Sequence, residues 1–300
     1  MPPGAVRLLV PIFVLALSAC NPRNEDTKRL RRSCEAGEAA ACNRFATRLQ
    51  AGEYVLKDVA RAAGLFDQAC AGGIAESCAS FAVMLQDGTG VRRDSARALG
   101  LLRQGCERGA MDGCTLLGEL YREGAGAPRD LVRAASLFQQ ACDAGKTAAC
   151  AHLGSLYAEG HGIARDVSRA AALLRKSCDS RVALGCVGLG RMHAAGAGVA
   201  QSDSTAAALF RRACNVVETA GCFLLATAHE SGKGVTQNFQ IAAELYRESC
   251  EDRNGEACAR MATLYERGAG VRRDAKRAVE LRREACEAGH AESCAKPEGS

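Results

Sequence analysis

Two consecutive stretches of the chain decide its fold: residues 106–141 read CERGAMDGCTLLGELYREGAGAPRDLVRAASLFQQA, and residues 142–177 read CDAGKTAACAHLGSLYAEGHGIARDVSRAAALLRKS. Each begins with a cysteine and has a second cysteine eight residues later. The pair recurs with a period of 36 residues, at Cys34 and Cys42, Cys70 and Cys78, Cys106 and Cys114, Cys142 and Cys150, Cys178 and Cys186, Cys214 and Cys222, Cys250 and Cys258, and Cys286 and Cys294. A fixed period of this length predicts a stacked array of units rather than a single compact core.

Each unit predicts two helices. The first has apolar residues at helical spacing after its second cysteine and ends at a glycine, which favours a left-handed C-cap. The second begins after an aspartate or another short polar residue, which is typical of an N-cap. Within the second helix, an alanine is followed three residues later by a leucine in all seven units, as in Ala134 and Leu137. We interpret the alanine as the site of close helix crossing and the leucine as the side chain that fills the groove.

The cysteine pairs lie on either side of a short turn between units. If this turn reverses the chain, the two sulfurs face each other, so eight disulfides between cysteines eight residues apart are the simplest connectivity. Zinc is the alternative, but structural zinc sites favour spacers of about two to four residues and four ligands, so we expect neither metal nor cofactor. Three junctions have Arg181, Val217 and Arg253 where the others have a turn glycine. The sequence leaves open whether the disulfide holds these turns or the turns take another shape.

The N-terminus predicts export. Residues 1–19 have one early charge, Arg7, and an apolar run too short to span a bilayer, which is typical of a signal peptide. The ending Leu17-Ser18-Ala19-Cys20 resembles a bacterial lipobox, so we expect cleavage before Cys20 and a lipid on its sulfur; an ordinary secretory signal is the alternative. Residues 20–27 then form a tether. By resemblance to the sorting rules of enterobacterial lipoproteins, Asn21 favours an outer-membrane lipoprotein, which faces either the periplasm or the cell surface.

Composition limits the partners of the mature chain. Without residues 1–19, the 39 basic residues fall to 38, against 34 acidic residues, and aromatic residues make up only 4% of the chain. Neither the charge nor the aromatic content supports nucleic-acid binding. We expect a monomer that reaches the membrane only through its lipid anchor.

Once the period, the glycine pair and the Ala-x-x-Leu segment are aligned, as in Gly118-Glu119-Leu120-Tyr121-Arg122-Glu123-Gly124-Ala125-Gly126, the chain resembles Sel1-like repeat proteins. The C-x7-C pairs are similar to those of the disulfide-rich branch typified by the Helicobacter cysteine-rich proteins. The resemblance implies an all-α, right-handed α/α superhelical solenoid over residues 28–300, with seven full repeats from Cys34 and a truncated eighth. It also implies an adaptor that holds a peptide, a protein or a peptidoglycan fragment in a groove. The cysteine-rich branch adds penicillin binding or β-lactam hydrolysis as the alternative function.

Candidate functional residues are therefore sought between the cysteines. The first helices share a variable row that we expect on an exposed inner face, and it contains Thr47, Val83, Glu119, Ser155, Arg191, Thr227 and Thr263. We take Glu119, Ser155, Arg191 and Thr227 as ligand-binding candidates, together with Phe223, an aromatic residue where other units have small ones.

For hydrolysis the candidates are Ser293 and Lys296, the one S-x-x-K match, which lacks the companion motifs of β-lactamases. His193 and His229 occupy a position held by tyrosine in other units, so we interpret them as packing residues.

Overall fold

The computed structural model describes residues 22–216 and 219–294, so Cys20, Val217 and Lys296 lie outside the described residues. These two ranges contain fifteen α-helices, one short 3-10 helix and no β-strand. None of the described helices is both long enough and apolar enough to cross a membrane. The prediction of an all-α fold is confirmed.

The helices follow one another at regular intervals. In chain order they are α1 (Pro22–Glu35), α2 (Ala39–Ala51), α3 (Val59–Ala71), α4 (Ala75–Asp87), α5 (Ser95–Glu107), α6 (Met111–Glu123), α7 (Leu131–Asp143), α8 (Thr147–Glu159), α9 (Val167–Asp179), α10 (Ala183–Ala195), α11 (Asp203–Cys214), α12 (Thr219–Ser231), α13 (Phe239–Glu251), α14 (Gly255–Arg267) and α15 (Ala275–Glu287), with the 3-10 helix at Ala291–Cys294. The chain forms two compact units, one ending at Leu101 and the other beginning at Leu102.

Packing within each unit is sequential. In the first unit, α1 packs on α2, α2 on α3 and α3 on α4. In the second unit the same holds from α6 to α15, and the first helix α10 also packs on α8 and, more loosely, on α12. Consecutive helix pairs thus form the array that the 36-residue period predicts.

The helix ends confirm the predicted caps. Gly124 ends α6 with φ 76° and its N–H donates to the carbonyl oxygen of Leu120, as expected for a left-handed C-cap. At the start of α7, the carboxylate of Asp130 accepts a hydrogen bond from the N–H of Arg133. The same side-chain cap occurs in every repeat, at Asp58, Asp94, Asp130, Asp166, Ser202, Asn238 and Asp274.

The side chain that fills the helix crossing differs from the predicted one. The alanine of the crossing is buried in every repeat, but the leucine three residues later is only half-buried in five of them, at Leu65, Leu101, Leu137, Leu173 and Leu245. The next residue forms the core instead, and in six repeats it is Phe66, Leu102, Phe138, Leu174, Phe210 or Tyr246. Two of the leucines are buried as predicted, Leu209 and Leu281. Leu281 belongs to the seventh repeat, where the next residue is Arg282. The reason is geometric, since a residue four positions after the alanine lies more directly above it on a helix than one three positions after it.

All eight predicted disulfides are present. In each of them the two Cα atoms lie 4.5 to 4.8 Å apart across the turn that joins two repeats. Eight disulfides in one chain indicate an oxidising, exported compartment.

Two of the junctions that lack glycine keep the glycine-type turn. Arg181 has φ 62° and Arg253 has φ 65°, while the glycines at this position have φ between 90° and 95°. The hydrogen bond of the turn is also the same. The N–H of Arg181 donates to the carbonyl oxygen of Cys178, as the N–H of Gly145 donates to the carbonyl oxygen of Cys142. The turn is therefore the same, and the arginines occupy a left-handed conformation that disfavours a side chain.

We expect Arg181→Gly and Arg253→Gly each to raise the free energy of unfolding by about 0.5 to 1 kcal/mol, because relief of left-handed strain exceeds the extra flexibility of glycine in the unfolded chain. Both arginine side chains are exposed. Chemical denaturation of the oxidised protein measures the change. The matched control is Gly145→Ala, at φ 90° with no atom within 4 Å of an added Cβ, which should lower stability through backbone strain alone. Unchanged stability in all three variants would contradict the strain.

Candidate ligand-binding site

A cavity of about 340 Å³ opens between α10 and α12 in the second unit. Its floor belongs to α11, which contributes Ala206, Ala207 and Phe210, and its walls are Ala194 and Ala195 on one side and Leu224 and Ala228 on the other. Arg191, Asp203, Thr227, Ser231 and Lys233 provide the polar part of the lining. We call this site the α10/α12 cavity.

The cavity exists where α10 has the two alanines Ala194 and Ala195 in place of the long side chains that α14 has at both positions. Ala195 corresponds to Glu159 of α8 and Arg267 of α14, and Ala194 corresponds to Glu266. Below them, Phe210 packs so closely on Gly190 that a Cβ on this glycine would lie 2.5 Å from the ring. The floor is therefore tightly packed, and the space above it is left by the two alanines.

The lining combines an apolar floor with unpaired charges. Arg191, Asp203 and Lys233 form no ion pair and no side-chain hydrogen bond with any residue that the structure describes. The hydroxyls of Thr227 and Ser231 donate to carbonyl oxygens of their own helix, those of Phe223 and Thr227 respectively, at 3.0 and 2.8 Å. An apolar pocket with a few convergent polar groups is typical of a ligand site, and two cations against one anion favour a ligand with an acidic group.

A buried tyrosine contacts Thr227, one of the residues that line the cavity. Tyr246 is fully buried, and its hydroxyl donates to Glu230 at 2.6 Å, with Thr227 a second partner at 3.2 Å. Burial raises the pKa of Tyr246 above its usual range, and the hydrogen bond to Glu230 acts in the same direction. The phenol therefore stays protonated and holds α12 to α13.

Of the five predicted ligand-binding residues, Arg191 and Thr227 line the α10/α12 cavity and the other three do not. Oε1 of Glu119 lies 2.8 Å from Nε2 of His152. The hydroxyl of Ser155 donates to its own helix at Ala151. The ring of Phe223 is half-buried with its centroid 5.7 Å from that of Tyr246. These three side chains are thus engaged within the repeat array.

The sequence pattern missed Asp203 and Lys233, which come from other positions of the repeat than the predicted row. Asp203 is the first residue of α11, and Lys233 follows the C-capping glycine of α12. The available signal was the pair Ala194-Ala195, because α10 is the only first helix among those described that has alanine at both positions.

The predicted hydrolytic residues lie elsewhere. Ser293 lines a polar cavity of about 340 Å³ together with Arg260, Arg267 and Arg282. Its hydroxyl is 2.8 Å from Nδ1 of His290. Lys296, the second residue predicted for hydrolysis, lies outside the described residues.

His193 and His229 have the same role in their repeats. Nδ1 of His193 lies 3.0 Å from the carbonyl oxygen of Ala200, and Nδ1 of His229 lies 3.3 Å from that of Thr236. Each imidazole therefore fastens the loop between the two helices of its repeat.

Two groups of side chains have the spacing of a metal site but not its chemistry. Cys214 and Cys222 lie near Glu248, and Cys250 and Cys258 lie near Glu284, with all potential ligand atoms of each group within 4.8 Å. Both cysteine pairs are disulfides, and a metal requires the thiolate form of cysteine.

Comparison with known proteins follows the same repeats. The Sel1 repeat model matches seven segments, residues 39–74, 75–109, 112–146, 147–181, 183–215, 219–254 and 255–290. Among solved structures, the chain is similar to a protective antigen present in uropathogenic Escherichia coli strains, with 27% identity over 89% of this chain and a TM-score of 0.59; the match spans 65% of the antigen chain. A search of curated proteins finds no match.

A Sel1 repeat protein from Oxalobacter formigenes is 24% identical over 90% of this chain and 78% of its own, with a TM-score of 0.66. Helicobacter pylori cysteine rich protein B is also 24% identical, over 43% of this chain and 93% of its own, with a TM-score of 0.36. The seven matched segments coincide with the seven helix pairs from α2 to α15. The chain therefore belongs to the Sel1 repeat family.

Proposed function

We propose that this protein is an envelope-anchored interaction scaffold that binds a peptide segment in the α10/α12 cavity. Sel1 repeat proteins are generally scaffolds for protein interaction. Under this proposal the lipid on Cys20 anchors a monomer to the outer membrane, facing the periplasm or the cell surface. The observation that carries the ligand assignment is the apolar cavity with Arg191 and Lys233 unpaired in its lining.

The expected ligand has an apolar side chain next to an acidic group. The floor of Ala206, Ala207 and Phe210 receives the apolar side chain, and Arg191 with Lys233 faces the acidic group. Asp203 adds a site for an amide or ammonium donor. A protein segment or the peptide part of a peptidoglycan fragment offers this combination, so the two are separated by competition.

We expect peptides selected from a random displayed library by the immobilised full chain to share an apolar residue beside Asp or Glu. Arg191→Glu should weaken these peptides about tenfold or more and remove the preference for an acidic neighbour, because it reverses a charge beside the ligand. The matched control is Arg175→Glu on α9, an exposed arginine outside the cavity, which should leave binding unchanged.

A second variant tests the cavity rather than its charge. Ala195→Trp places a large ring in the space between α10 and α12, so it should abolish binding of the selected peptides while circular dichroism stays unchanged. If this variant enriches the same peptides as the wild type, the α10/α12 cavity is not the site. Displacement of a selected peptide by a soluble muropeptide at lower concentration than by any peptide would favour the peptidoglycan fragment.

Hydrolysis of β-lactams is the second candidate function, and the hydrogen bond between Ser293 and His290 is the observation that favours it. A serine activated by an imidazole is a known type of nucleophile. Turnover of a chromogenic cephalosporin by the purified chain, lost in both Ser293→Ala and His290→Ala, would establish this activity. Absence of turnover would remove it.

A further inference from the structure

The loop between α2 and α3 exposes two large apolar side chains. Leu56 is 92% exposed and Tyr54 is 42% exposed, and Leu56 is the most exposed large apolar residue of those the structure describes. Lys57 follows them directly and is also exposed. The corresponding loops of other repeats have charged or small residues in the place of Leu56, such as Arg92, Pro128 and Ala164. The first repeat therefore differs from the others at this loop.

The backbone of Tyr54 is strained. Its φ is 61°, in the left-handed region, and the six later repeats have glycine at this position with φ between 70° and 79°, at Gly90, Gly126, Gly162, Gly198, Gly234 and Gly270. A tyrosine in this conformation is unfavourable, and such strain is found preferentially at functional positions. Tyr54 thus occupies a position whose backbone conformation favours glycine.

The register of the repeat places this loop beside the start of α1. Gly90 and Gly162 abut the first residue of the preceding second helix, Val59 and Leu131 respectively, each within 2.6 Å of an added Cβ. For the first repeat, α1 takes the place of the preceding second helix. Arg48 connects the two elements, because it hydrogen-bonds to Asp26 of α1 at 2.5 Å and its guanidinium lies 5.8 Å from the centre of the Tyr54 ring.

The start of α1 is also where the expected lipid anchor lies. The helix begins at Pro22, two residues after Cys20. It contains five basic and three acidic residues, and in the loop Glu53 balances Lys57, so α1 and the loop together carry a net charge of +2. A lipidated Cys20 would bring Tyr54, Leu56 and Lys57 to the headgroups. Tyrosine favours the membrane interface, leucine the acyl chains and lysine anionic headgroups.

We propose that the loop of residues 53–57 inserts Tyr54 and Leu56 into the interface of an anionic bilayer and forms a second membrane contact beside the anchor. This inference rests on the lipid anchor of the proposed function, because a single short loop binds membranes only weakly and reversibly by itself, and stable attachment takes two signals. The contact would hold the loop and the start of α1 at the membrane surface beside the anchor.

The chain has no tryptophan, so a single one can report on this loop. Leu56→Trp in the full lipidated chain, reconstituted in vesicles of phosphatidylglycerol and phosphatidylethanolamine, should show blue-shifted emission and quenching by brominated lipids. The matched control is Val132→Trp on α7, a residue 64% exposed, which should show neither. Unshifted, unquenched emission from Leu56→Trp in chains that float with the vesicles overturns the proposal.

A second measurement separates the loop from the anchor. The full chain with Cys20→Ser is added to the same vesicles, and Tyr54→Gly with Leu56→Ser in that background should lower its partition about tenfold, since both apolar side chains leave the interface. Both changes suit the fold, because Leu56 is exposed and glycine is the residue of the later repeats.

The two measurements distinguish a failure of the anchor from a failure of the loop contact. If the unaltered chain does not float with vesicles, the anchor is wrong, and a partition unaffected by the loop substitutions overturns the loop. A blue shift that depends on protein concentration without lipid identifies a second copy as the occupant and overturns the membrane contact.

Discussion

Phe138→Ala is expected to lower the free energy of unfolding by about 3 to 5 kcal/mol, as is typical for removal of a fully buried aromatic ring. The ring of Phe138 has no exposed surface, stacks on the imidazole of His152 at 4.9 Å, and packs on Gly118, where an added Cβ would lie 2.7 Å from its edge. The substitution removes all of these contacts and leaves a space in the core that the surrounding helices cannot close completely.

Chemical denaturation of the oxidised protein measures this loss, and Ser136→Ala on the exposed side of the same helix serves as the matched control. A double substitution sharpens the test. Gly118→Ala should destabilise the wild type because its methyl group meets the Phe138 ring, but it should stabilise the Phe138→Ala protein because it occupies the vacated space. Purely additive effects of the two substitutions would contradict this packing.

Removal of one junction disulfide is the second large effect. Replacing Cys178 and Cys186 by alanine should lower the free energy of unfolding by about 2.5 kcal/mol, because the bond closes a nine-residue loop in the unfolded chain. Both cysteines are buried, and alanine introduces no polar group at these positions.

Removal of the Cys178–Cys186 disulfide should also destabilise its own turn, and more strongly than removal of the Cys142–Cys150 disulfide destabilises the corresponding turn. The first junction contains Arg181 at φ 62° and the second Gly145 at φ 90°, so only the first turn opposes its own backbone preference. Amide hydrogen exchange at Val182 should therefore accelerate more than at Lys146 when the respective bond is removed.

Adding Arg181→Gly should restore protection at the first junction. Equal acceleration at both junctions would show that the disulfide does not hold the strained turn. Thiol titration of the denatured, unreduced protein provides the control, since it should find no free thiol besides any at Cys20.

The sequence predicted the fold to the level of individual caps because each cap is a local event. Gly124 and Asp130 act within a few residues of themselves, so their roles can be derived from spacing alone. The cysteine pairs are similar, since each bond spans only eight residues. The assignment of Leu137 to the helix crossing was wrong, because the residue that enters the core depends on the rotation of one helix against its neighbour. A helical period constrains this rotation only to a broad stripe, and Phe138 is the residue that is buried.

The candidate site was predicted less completely. The variable row includes Arg191 and Thr227, which line the α10/α12 cavity, but it also includes Glu119, whose carboxylate contacts a histidine one repeat away. Equivalent positions in successive repeats show which residues share a helix face, but they do not show which of these side chains form ion pairs or hydrogen bonds. The α10/α12 cavity depends on side chains that are small, Ala194 and Ala195, and a search for reactive residues passes over them.

The short span of the disulfides has a consequence for how the protein matures. Sixteen cysteines can pair in roughly two million ways, by the same counting that gives 105 for eight. In this chain each correct partner is also the nearest one along the backbone, eight residues away, while the next cysteine follows after 28. Short loops close fastest, so during export from the N-terminus each cysteine meets its native partner before any competitor has emerged. Oxidation can thus follow the chain through the membrane one junction at a time, without later reshuffling of mispaired bonds.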